Sequence, residues 1–521
     1  MTLNFHALSG CLFLLICALL PSVVHAQVHY EWARAGGGND IDYGKDVAVD
    51  RSGNVYTTGV YESHSVFTAN PGVGDTLYHT YMSDIFVVKH DSSGNYQWAF
   101  RIIGDTTQSG NHNQIVSGID VDSAGNFYLA GRFDNKTDFN PSEAPADTFW
   151  LDPANGKAYV AKYNSNGSLL WAKNYGGAAL SDVGAIAVDD TGNVFVTGHF
   201  TGTADFDPSA ATHNITSNGG YDIYLARYDH NGNFVWANGF GSTGSDFGID
   251  LAINDDNEIV IAARFEGTVD FDPGSGTTNL TSGGSSDPVI ALYEPNGDLD
   301  WAGSISGSGT EYIVDINIDR NDNIAVTGNF MGSADFDLFS GTHTLTSHGG
   351  QDAFLAHYDD DGDFNWAINP GNTSSDNGNA VLFNHDRDVF LFGSFEGTND
   401  FDPGSGTASF TVSQRQMYIA QYEKDGSYVW TGIMGGSGTE FTNRGVSDSE
   451  DNLYLTGGFQ PPSADMDPDT GSVHQLNGYG GFFDVFTLKL NSDSMVTGGC
   501  TPYSNTFETD ICEGDSVLFA G

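Results

Sequence analysis

The sequence is poor in basic residues, and this deficit limits its partners. Its 521 residues include 18 Lys and Arg against 68 Asp and Glu, which gives a formal net charge of -50. Nucleic acids and anionic membrane surfaces bind clusters of Lys and Arg, so neither is an expected partner. An acidic surface keeps a protein soluble through self-repulsion, and it also attracts cations.

Cysteine is equally scarce, with four residues in the whole chain. Cys11 and Cys17 belong to the N-terminal segment, and the long stretch 27–499 contains none. This stretch therefore folds without disulfide bonds. Cys500 and Cys512 would pair with each other or with a cysteine in sequence that is not present here.

Long apolar runs are absent after the first 26 residues. Residues 1–26 carry no charge, contain the run CLFLLICALLPSVV and end in Val24-His25-Ala26, the small-x-small pattern that signal peptidase cleaves. We predict a signal peptide over 1–26, a mature chain from Gln27 and a secreted or cell-surface protein. No later segment has the ~18 apolar residues that span a bilayer, so membrane insertion is not expected.

The motifs of common catalytic sites are also missing. The sequence has no HExxH, GxSxG, P-loop or CxxC pattern, and its histidines do not recur at fixed spacing. We therefore predict no catalytic residue and no organic cofactor.

What the sequence does contain is a repeat marked by tryptophan. Seven tryptophans are separated by 66, 73, 65, 65, 65 and 64 residues: Trp32, Trp98, Trp171, Trp236, Trp301, Trp366 and Trp430. A fixed period of this length indicates an array of supersecondary units, and rings of sheet blades commonly contain seven. We expect the tryptophans to be wedges between blades, each burying ~150–250 Å².

Each repeat carries four strand patterns and no helical period. In the third repeat AIAVD and NVFVTGHF alternate apolar with small or polar residues around the tight turn Asp190-Thr191-Gly192-Asn193. An insert of about 20 residues precedes DIYLARYD, and a second turn leads into NFVWANGF, the strand that bears Trp236. The fold class predicted is all-β, a seven-bladed β-propeller of four-stranded blades over residues 27–492.

The count of strands predicts how the ring closes. Residues 28–35 bear Trp32 but follow no third strand, while the last third strand, 485–491, has no tryptophan strand after it. The N-terminal strand should therefore become the outer strand of the seventh blade, a 1+3 closure that leaves no open seam.

The repeat resembles a known family. The pattern A-V-D-x-x-G-N-V-Y-V-T-G-x-F, preceded by W-A-x-x-x-G-G, is similar to the bacterial β-propeller repeat labelled SBBP, and its blade resembles the NHL repeat. The resemblance implies an exported protein with a propeller fold, and it brings no catalytic residues. Residues 493–521 form a linker followed by Cys512-Glu513-Gly514-Asp515, which resembles the truncated start of an Ig-like or PKD-like module.

Two acidic motifs recur on the loops that alternating connections place on one face. The first is Asp-Phe-Asp-Pro or a variant within the insert, giving Asp205, Asp207, Asp270, Asp272, Asp335, Asp337, Asp400 and Asp402. The second is an acid 10 or 11 residues after the tryptophan, found as Asp42, Asp182, Asp246, Glu311, Asp376 and Glu440.

These acids suggest calcium, because carboxylates one residue apart on an extended segment point the same way and a neighbouring loop adds a third. Sets such as Asp246, Asp270 and Asp272 are the hypothetical ligands, with Ca²⁺ as the only cofactor considered. The alternative is structural: an aspartate before proline commonly caps a turn through the backbone.

The resulting prediction of function is a non-catalytic scaffold for adhesion, ligand binding or assembly. Its partner would be an extracellular glycan or protein, and the propeller would be monomeric. The alternative is an extracellular polysaccharide hydrolase or lyase that uses aspartates of the acidic loop face.

Overall fold

The repeat patterns fold as strands throughout the part of the chain that the structure describes. The computed structural model describes residues 28–62, 64–67, 76–78, 83–105, 107, 113–141, 147–177, 181–469 and 471–492. The predicted signal peptide, Cys500, Cys512 and the Ig-like segment lie outside these residues. Within them the prediction of an all-β body is confirmed.

The first two repeats contain thirteen strands. Residues 29–104 form β1 (His29–Gly36), β2 (Asp42–Val49), β3 (Val55–Tyr61), β4 (Ser65–Val66), β5 (Thr76–Leu77), β6 (Asp84–His90) and β7 (Tyr96–Gly104). Residues 114–175 form β8 (Gln114–Val121), β9 (Phe127–Phe133), β10 (Thr137–Asp138), β11 (Trp150–Leu151), β12 (Ala158–Tyr163) and β13 (Leu169–Tyr175). A short 3-10 helix, Pro153–Asn155, lies between β11 and β12.

The third and fourth repeats are more regular. They form β14 (Ser181–Val188), β15 (Val194–Phe200), β16 (Thr203–Asp205), β17 (Asn214–Thr216), β18 (Asp222–Tyr228), β19 (Phe234–Phe240), β20 (Phe247–Ile253), β21 (Ile259–Phe265), β22 (Thr268–Asp270), β23 (Asn279–Thr281), β24 (Asp287–Tyr293) and β25 (Leu299–Ser304).

The remaining repeats follow the same order. They form β26 (Ser306–Gly307), β27 (Thr310–Ile318), β28 (Ile324–Met331), β29 (Ser333–Asp335), β30 (Thr344–Thr346), β31 (Asp352–Tyr358), β32 (Phe364–Ile368), β33 (Asn377–Phe383), β34 (Val389–Asp400), β35 (Ser409–Tyr422), β36 (Tyr428–Gly436), β37 (Glu440–Ser447), β38 (Asn452–Phe459), β39 (Ser463–Asp465), β40 (Gln475–Asn477) and β41 (Asp484–Asn491).

Seven antiparallel sheets of four or six strands hold most of these strands. We number them I (β2, β3, β6, β7), II (β8, β9, β12, β13), III (β14, β15, β18, β19), IV (β20, β21, β24, β25), V (β27, β28, β31, β32), VI (β33 to β36) and VII (β37, β38, β41, β1). The short pairs β10–β11 and β39–β40 extend sheets I and VI, and other insert strands form small sheets of two or three strands.

Tight turns join the first and second strands of each sheet. In sheet III the Asp189 carboxylate accepts hydrogen bonds from the backbone N–H groups of Thr191 and Asn193, both at 2.9 Å. Gly192 has φ of 84° there, a left-handed conformation that glycine adopts without strain. The Asp-x-x-Gly-Asn pattern therefore sets the hairpin through its own side chain.

The hydrophobic core lies between successive sheets. Each of the larger buried clusters combines apolar side chains from two neighbouring sheets, as where Tyr128 of sheet II packs with Val194 and Phe200 of sheet III. The first strands contact one another in order, β2 with β8, then β14, β20, β27, β33 and β37, and β37 contacts β2 again.

The N-terminal strand pairs with the last strand of the repeat region. β1 runs antiparallel to β41, with His29 opposite Asn491 and Gly36 opposite Val485. Sheet VII therefore combines three strands from one end of the described chain with one strand from the other.

Candidate functional site

The tryptophan side chains connect one sheet to the next. The indole N–H of Trp236 in sheet III donates to the carbonyl oxygen of Pro295 in sheet IV at 3.2 Å, and a Cβ on Gly297 would lie 3.1 Å from the same indole. Trp32, Trp171, Trp301 and Trp366 donate to the corresponding turns. Trp32 is buried and the other six are half-buried, so part of each of those rings stays in contact with solvent.

Trp98 lies against the turn of sheet II, where a Cβ on Gly167 would lie 3.5 Å from its indole. Trp430 donates within its own sheet, and the strand order explains why. The third and fourth strands of sheet VII, β41 and β1, come from distant parts of the chain, so no hairpin turn joins them. Trp430 donates instead to the side-chain oxygen of Gln421 in its own sheet at 2.6 Å.

In each Asp-Phe-Asp motif the first aspartate closes a short hairpin. Oδ1 of Asp205 accepts from the backbone N–H of Asp207 at 3.1 Å and of His213 at 2.8 Å. Equivalent pairs of bonds occur at the first aspartate of the other motifs, which are Asp138, Asp270, Asp335, Asp400 and Asp465. These side chains therefore cap turns, which is the alternative to calcium binding that the sequence left open.

The rest of the motif is also used in packing. The second aspartates cap the next turn, as where Oδ1 of Asp272 accepts from Gly274 N–H at 2.7 Å, and Asp207, Asp337 and Asp402 do the same. Phe206 between the two aspartates is fully buried, and its carbonyl oxygen accepts from the Tyr228 hydroxyl at 3.0 Å. The recurrence of the motif thus follows from a folding requirement.

Replacing Asp205 tests whether its carboxylate caps the turn. We expect Asp205→Ala to lower the free energy of unfolding by about 1–2 kcal/mol, because two backbone N–H groups lose their acceptor. Asp205→Asn keeps an acceptor oxygen and should cost less than half as much. Urea denaturation of the two variants beside the unchanged chain measures both values, and equal losses would contradict the capping role.

The acids that follow the tryptophans lie at the start of the first strands, deep between sheets. Asp42, Asp246, Glu311, Asp376 and Glu440 have no exposed surface. Burial raises the pKa of Asp42 to about 6, and it raises the pKa values of Glu311 and Glu440 to about 7. The pKa values of Asp246 and Asp376 are raised for the same reason.

Asp182 does not belong with this set. Ser181 stands opposite Phe200 as Glu311 stands opposite Phe330, so Ser181 occupies the equivalent position in sheet III. Side chains alternate between faces along a strand, which sends Asp182 to the other face, where it pairs with Arg132 at 3.3 Å. The motif of an acid 10 or 11 residues after the tryptophan was therefore wrong here by one residue, since Ser181 and not Asp182 occupies the position.

The structure does not assemble the predicted three-carboxylate cage. Among the described residues no three His, Cys, Asp or Glu side chains are grouped so that they could hold a metal ion, and this includes Asp246, Asp270 and Asp272. Any cation bound to this part of the chain would need backbone oxygens in addition to carboxylates.

A second group of acids, which the sequence patterns missed, lines a cavity between the first strands. The cavity has a volume of about 210 Å³ and is lined by residues of β2, β8, β14, β20, β27 and β37. Its charged side chains are Asp46, Asp120, Asp250, Asp315 and Arg444. The signal in the sequence was an acid inside an apolar strand pattern, as in VDINID around Asp315.

Each of these aspartates joins its sheet to the next. A carboxylate oxygen accepts a backbone N–H from the following first strand in all four cases: Asp46 from Ile119 at 2.8 Å, Asp120 from Val188 at 2.6 Å, Asp250 from Ile316 at 3.0 Å and Asp315 from Val381 at 2.7 Å. Burial outweighs these bonds and raises the pKa of Asp46 to about 6 and that of Asp120 to about 7.

Arg444 supplies the positive charge of this cavity. From sheet VII its guanidinium pairs with Asp250 of sheet IV at 2.5 Å and with Asp315 of sheet V. Burial raises the pKa of Asp250, and the Arg444 charge opposes that rise. A single arginine thus compensates two buried carboxylates from different sheets.

The raised pKa values predict how stability depends on pH. Asp120, Glu311, Glu440 and Asp484 have pKa values of about 7 in the folded chain, above those of an unfolded chain. The folded state therefore holds more protons between about pH 4 and 7, and stability falls as pH rises through this window. Without divalent cations, we expect urea denaturation to show lower stability at pH 8 than at pH 5, by on the order of 1 kcal/mol per group. Rising stability from pH 5 to 8 would contradict these assignments.

Another cavity lies between β1 and sheet I. It measures about 500 Å³, and its lining includes Arg34, Tyr96, Gln475 and Asn477. Guanidinium and amide groups beside an aromatic ring can bind hydroxyl and carboxylate groups, and the volume falls within the usual range for ligand pockets.

No helix among the described residues is long and apolar enough to cross a membrane.

The family described as a β-propeller repeat, SBBP, matches residues 31–60. An uncharacterized WD repeat-containing protein of Acanthamoeba polyphaga mimivirus is 23% identical over 518 residues, covering 84% of this chain and 37% of that protein. The chain thus spans little more than a third of the length of this relative.

Solved structures give weaker matches. A protein of unknown function from Dyadobacter fermentans has 10% identity and a TM-score of 0.38, with 89% of this chain and 99% of that chain covered. A polysaccharide lyase, an ulvan lyase, has 10% identity and a TM-score of 0.43, with 88% of this chain and 97% of that chain covered. Together with the antiparallel sheets, the sequence matches support a β-propeller repeat protein.

Proposed function

We propose that the chain is an exported, non-catalytic scaffold, a monomeric seven-bladed β-propeller that binds an extracellular glycan or protein. The scaffold role is supported by the hydrogen bonds that the recurrent aspartates accept from backbone N–H groups. Side chains held in this way position strands and turns, whereas a catalytic carboxylate must be open to substrate.

The seven sheets would be the blades, with β1 completing the last one. The order of first-strand contacts, which returns from β37 to β2, supports a closed ring. The pairing of β1 with β41 supports closure by the N-terminal strand, which removes a sheet edge that would otherwise pair with other chains.

The ligand would bind in the cavity of about 500 Å³ between β1 and sheet I. Arg34 is held there by a bond from Nε to the Gly94 carbonyl oxygen at 2.5 Å, and its guanidinium lies 5.4 Å from the ring centre of Trp32. A fixed guanidinium recognises carboxylate or sulfate groups in a defined geometry, which favours an acidic glycan.

A glycan array combined with a turnover assay tests this function. We expect binding of acidic glycans without product release, and we expect Gln475→Ala, which changes the cavity lining at an exposed strand, to weaken binding without changing the melting temperature. Cleavage of any bound glycan would contradict the non-catalytic role. An array that shows no binding would contradict the glycan ligand.

The alternative is a polysaccharide hydrolase or lyase. One observation favours it: Asp120 lines the cavity between the first strands, and its pKa of about 7 suits a general acid or base. Asp120→Asn would then abolish turnover while leaving glycan binding intact.

A further inference from the structure

A second acid lies beside each of four acids at the sheet boundaries. It begins the third strand of one sheet, and it lies close enough to the acid at the start of the next first strand for the two charges to interact. In three of the four pairs a backbone bond holds the two segments together, as where Asp246 N–H donates to the Tyr221 carbonyl oxygen at 2.7 Å. The four pairs are Asp222 with Asp246, Asp287 with Glu311, Asp352 with Asp376, and Asp484 with Asp42.

These pairs contain buried carboxylate oxygens that accept no hydrogen bond. All eight side chains are at most 2% exposed. Both carboxylate oxygens of Glu311 lack a partner, as does Oδ1 of Asp222, Asp352 and Asp484. An unpartnered buried carboxylate is costly, so these oxygen atoms need a proton or a cation.

The boundary between sheets IV and V gathers further oxygen atoms around its pair. A Cβ on Gly284 would lie 3.1 Å from the Gly307 carbonyl oxygen, 3.2 Å from that of Gly309 and 3.5 Å from Oδ1 of Asp287. A Cβ on Gly309 would lie 3.2 Å from Oε1 of Glu311. Two carbonyl oxygens and a carboxylate oxygen of Asp287 thus surround the position that a Cβ on Gly284 would take, and the Glu311 carboxylate lies beside Gly309.

The boundary between sheets II and III has a lysine where four other boundaries have an acid pair. Between sheets II and III the equivalent residues are Lys157 and Ser181. Lys157 stands opposite Phe133, whose N–H donates to the Lys157 carbonyl oxygen at 3.0 Å, as Asp287 stands opposite Phe265. The Lys157 ammonium pairs with Asp134 at 3.1 Å. Between sheets I and II the equivalent residues are Asp84 and Gln114, and between sheets VI and VII they are Gln416 and Glu440. An acid pair therefore occurs at four of the seven boundaries between the described sheets.

We propose that the boundary between sheets IV and V binds Ca²⁺ through Asp287, Glu311 and the carbonyl oxygens of Gly307 and Gly309, and that the three other acid pairs bind it similarly. Calcium takes 6–8 oxygen ligands in flexible geometry, and two carboxylates with two carbonyls supply about six, with water completing the shell. The site differs from the Asp-Phe-Asp loops, whose carboxylates cap turns. It is independent of whether the chain is a scaffold or an enzyme.

Calcium titration of the full chain tests the proposal. After removal of metal with EDTA, isothermal titration with CaCl₂ alone at pH 7.5 should show up to four ions bound per chain, and the melting temperature should rise by several degrees. Glu311→Gln removes one buried charge and should bind one ion fewer, while melting without calcium at the same or a higher temperature than the unchanged chain.

Asp270→Asn combined with Asp272→Asn is the matched control, because it removes two carboxylates of the neighbouring turn and should leave the number of bound ions unchanged. Calcium uptake that survives Glu311→Gln in full, or that disappears in the control, would overturn the proposal. So would a chain that takes up no calcium and is stabilised only by acidification, since the acid pairs would then share protons instead.

Discussion

Replacing Arg444 by methionine is expected to lower the free energy of unfolding by about 3–5 kcal/mol, because it leaves two buried carboxylates without their common cation. Asp250 and Asp315 stay in place, and each keeps its backbone N–H bond to the next sheet. Without the guanidinium, burial would raise the pKa of Asp250 further, so the loss should be larger at pH 8 than at pH 5. Urea denaturation at the two pH values measures both effects.

Two variants control this result. Arg51→Met breaks a pair with Asp190 whose side chains are 70% and 77% exposed, and it should cost less than about 1 kcal/mol. Adding Asp250→Asn and Asp315→Asn to Arg444→Met removes the uncompensated charges and should recover much of the lost stability. Equal losses from Arg444→Met and Arg51→Met would show that the central pairs add nothing beyond an exposed pair.

Removing β1 is expected to have an effect of similar size. A chain that begins at Gly37 loses Trp32 and Ala33 from the core and leaves β41 with an unpaired edge. Burial of one tryptophan alone corresponds to about 4 kcal/mol, so we expect a large fall in melting temperature and a tendency to associate through the open edge. The comparison is with a chain that begins at Val28, measured by thermal melting and light scattering.

A peptide of residues 28–36 should restore the melting temperature when it is added to the shortened chain, because the missing strand can pair with β41 from solution. Trp150→Ala serves as a control for loss of an indole, since Trp150 is 37% exposed in an insert strand. An unchanged melting temperature after removal of β1 would contradict the proposed ring closure.

The strands were predictable because their signals are local. Alternation of apolar residues and the Asp-x-x-Gly-Asn turns act within one hairpin, and repetition of both along the chain removes accidental matches. The partner of β1 was also predictable, since counting third and fourth strands leaves one of each unmatched.

The boundary acids could not be predicted as pairs. Asp287 and Glu311 belong to different repeats, and their contact depends on how two sheets pack, which no local pattern records. The inserts were missed for a similar reason: Thr203 and Thr216 lie opposite each other in a short hairpin whose connecting loop has no strand period. Asp182 shows the limit of counting residues, because a shift of one position changes the face of the strand.

The pairing of β1 with β41 has a mechanical consequence. His29 lies opposite Asn491, so the two ends of the described chain leave sheet VII from the same end of one antiparallel ladder. A force that separates these ends loads the hydrogen bonds one after another, and strands in this geometry peel apart more easily than strands that slide past each other. A protein held at one end and pulled at the other would therefore yield first at this ladder, while the other six sheets carry no load until it has opened.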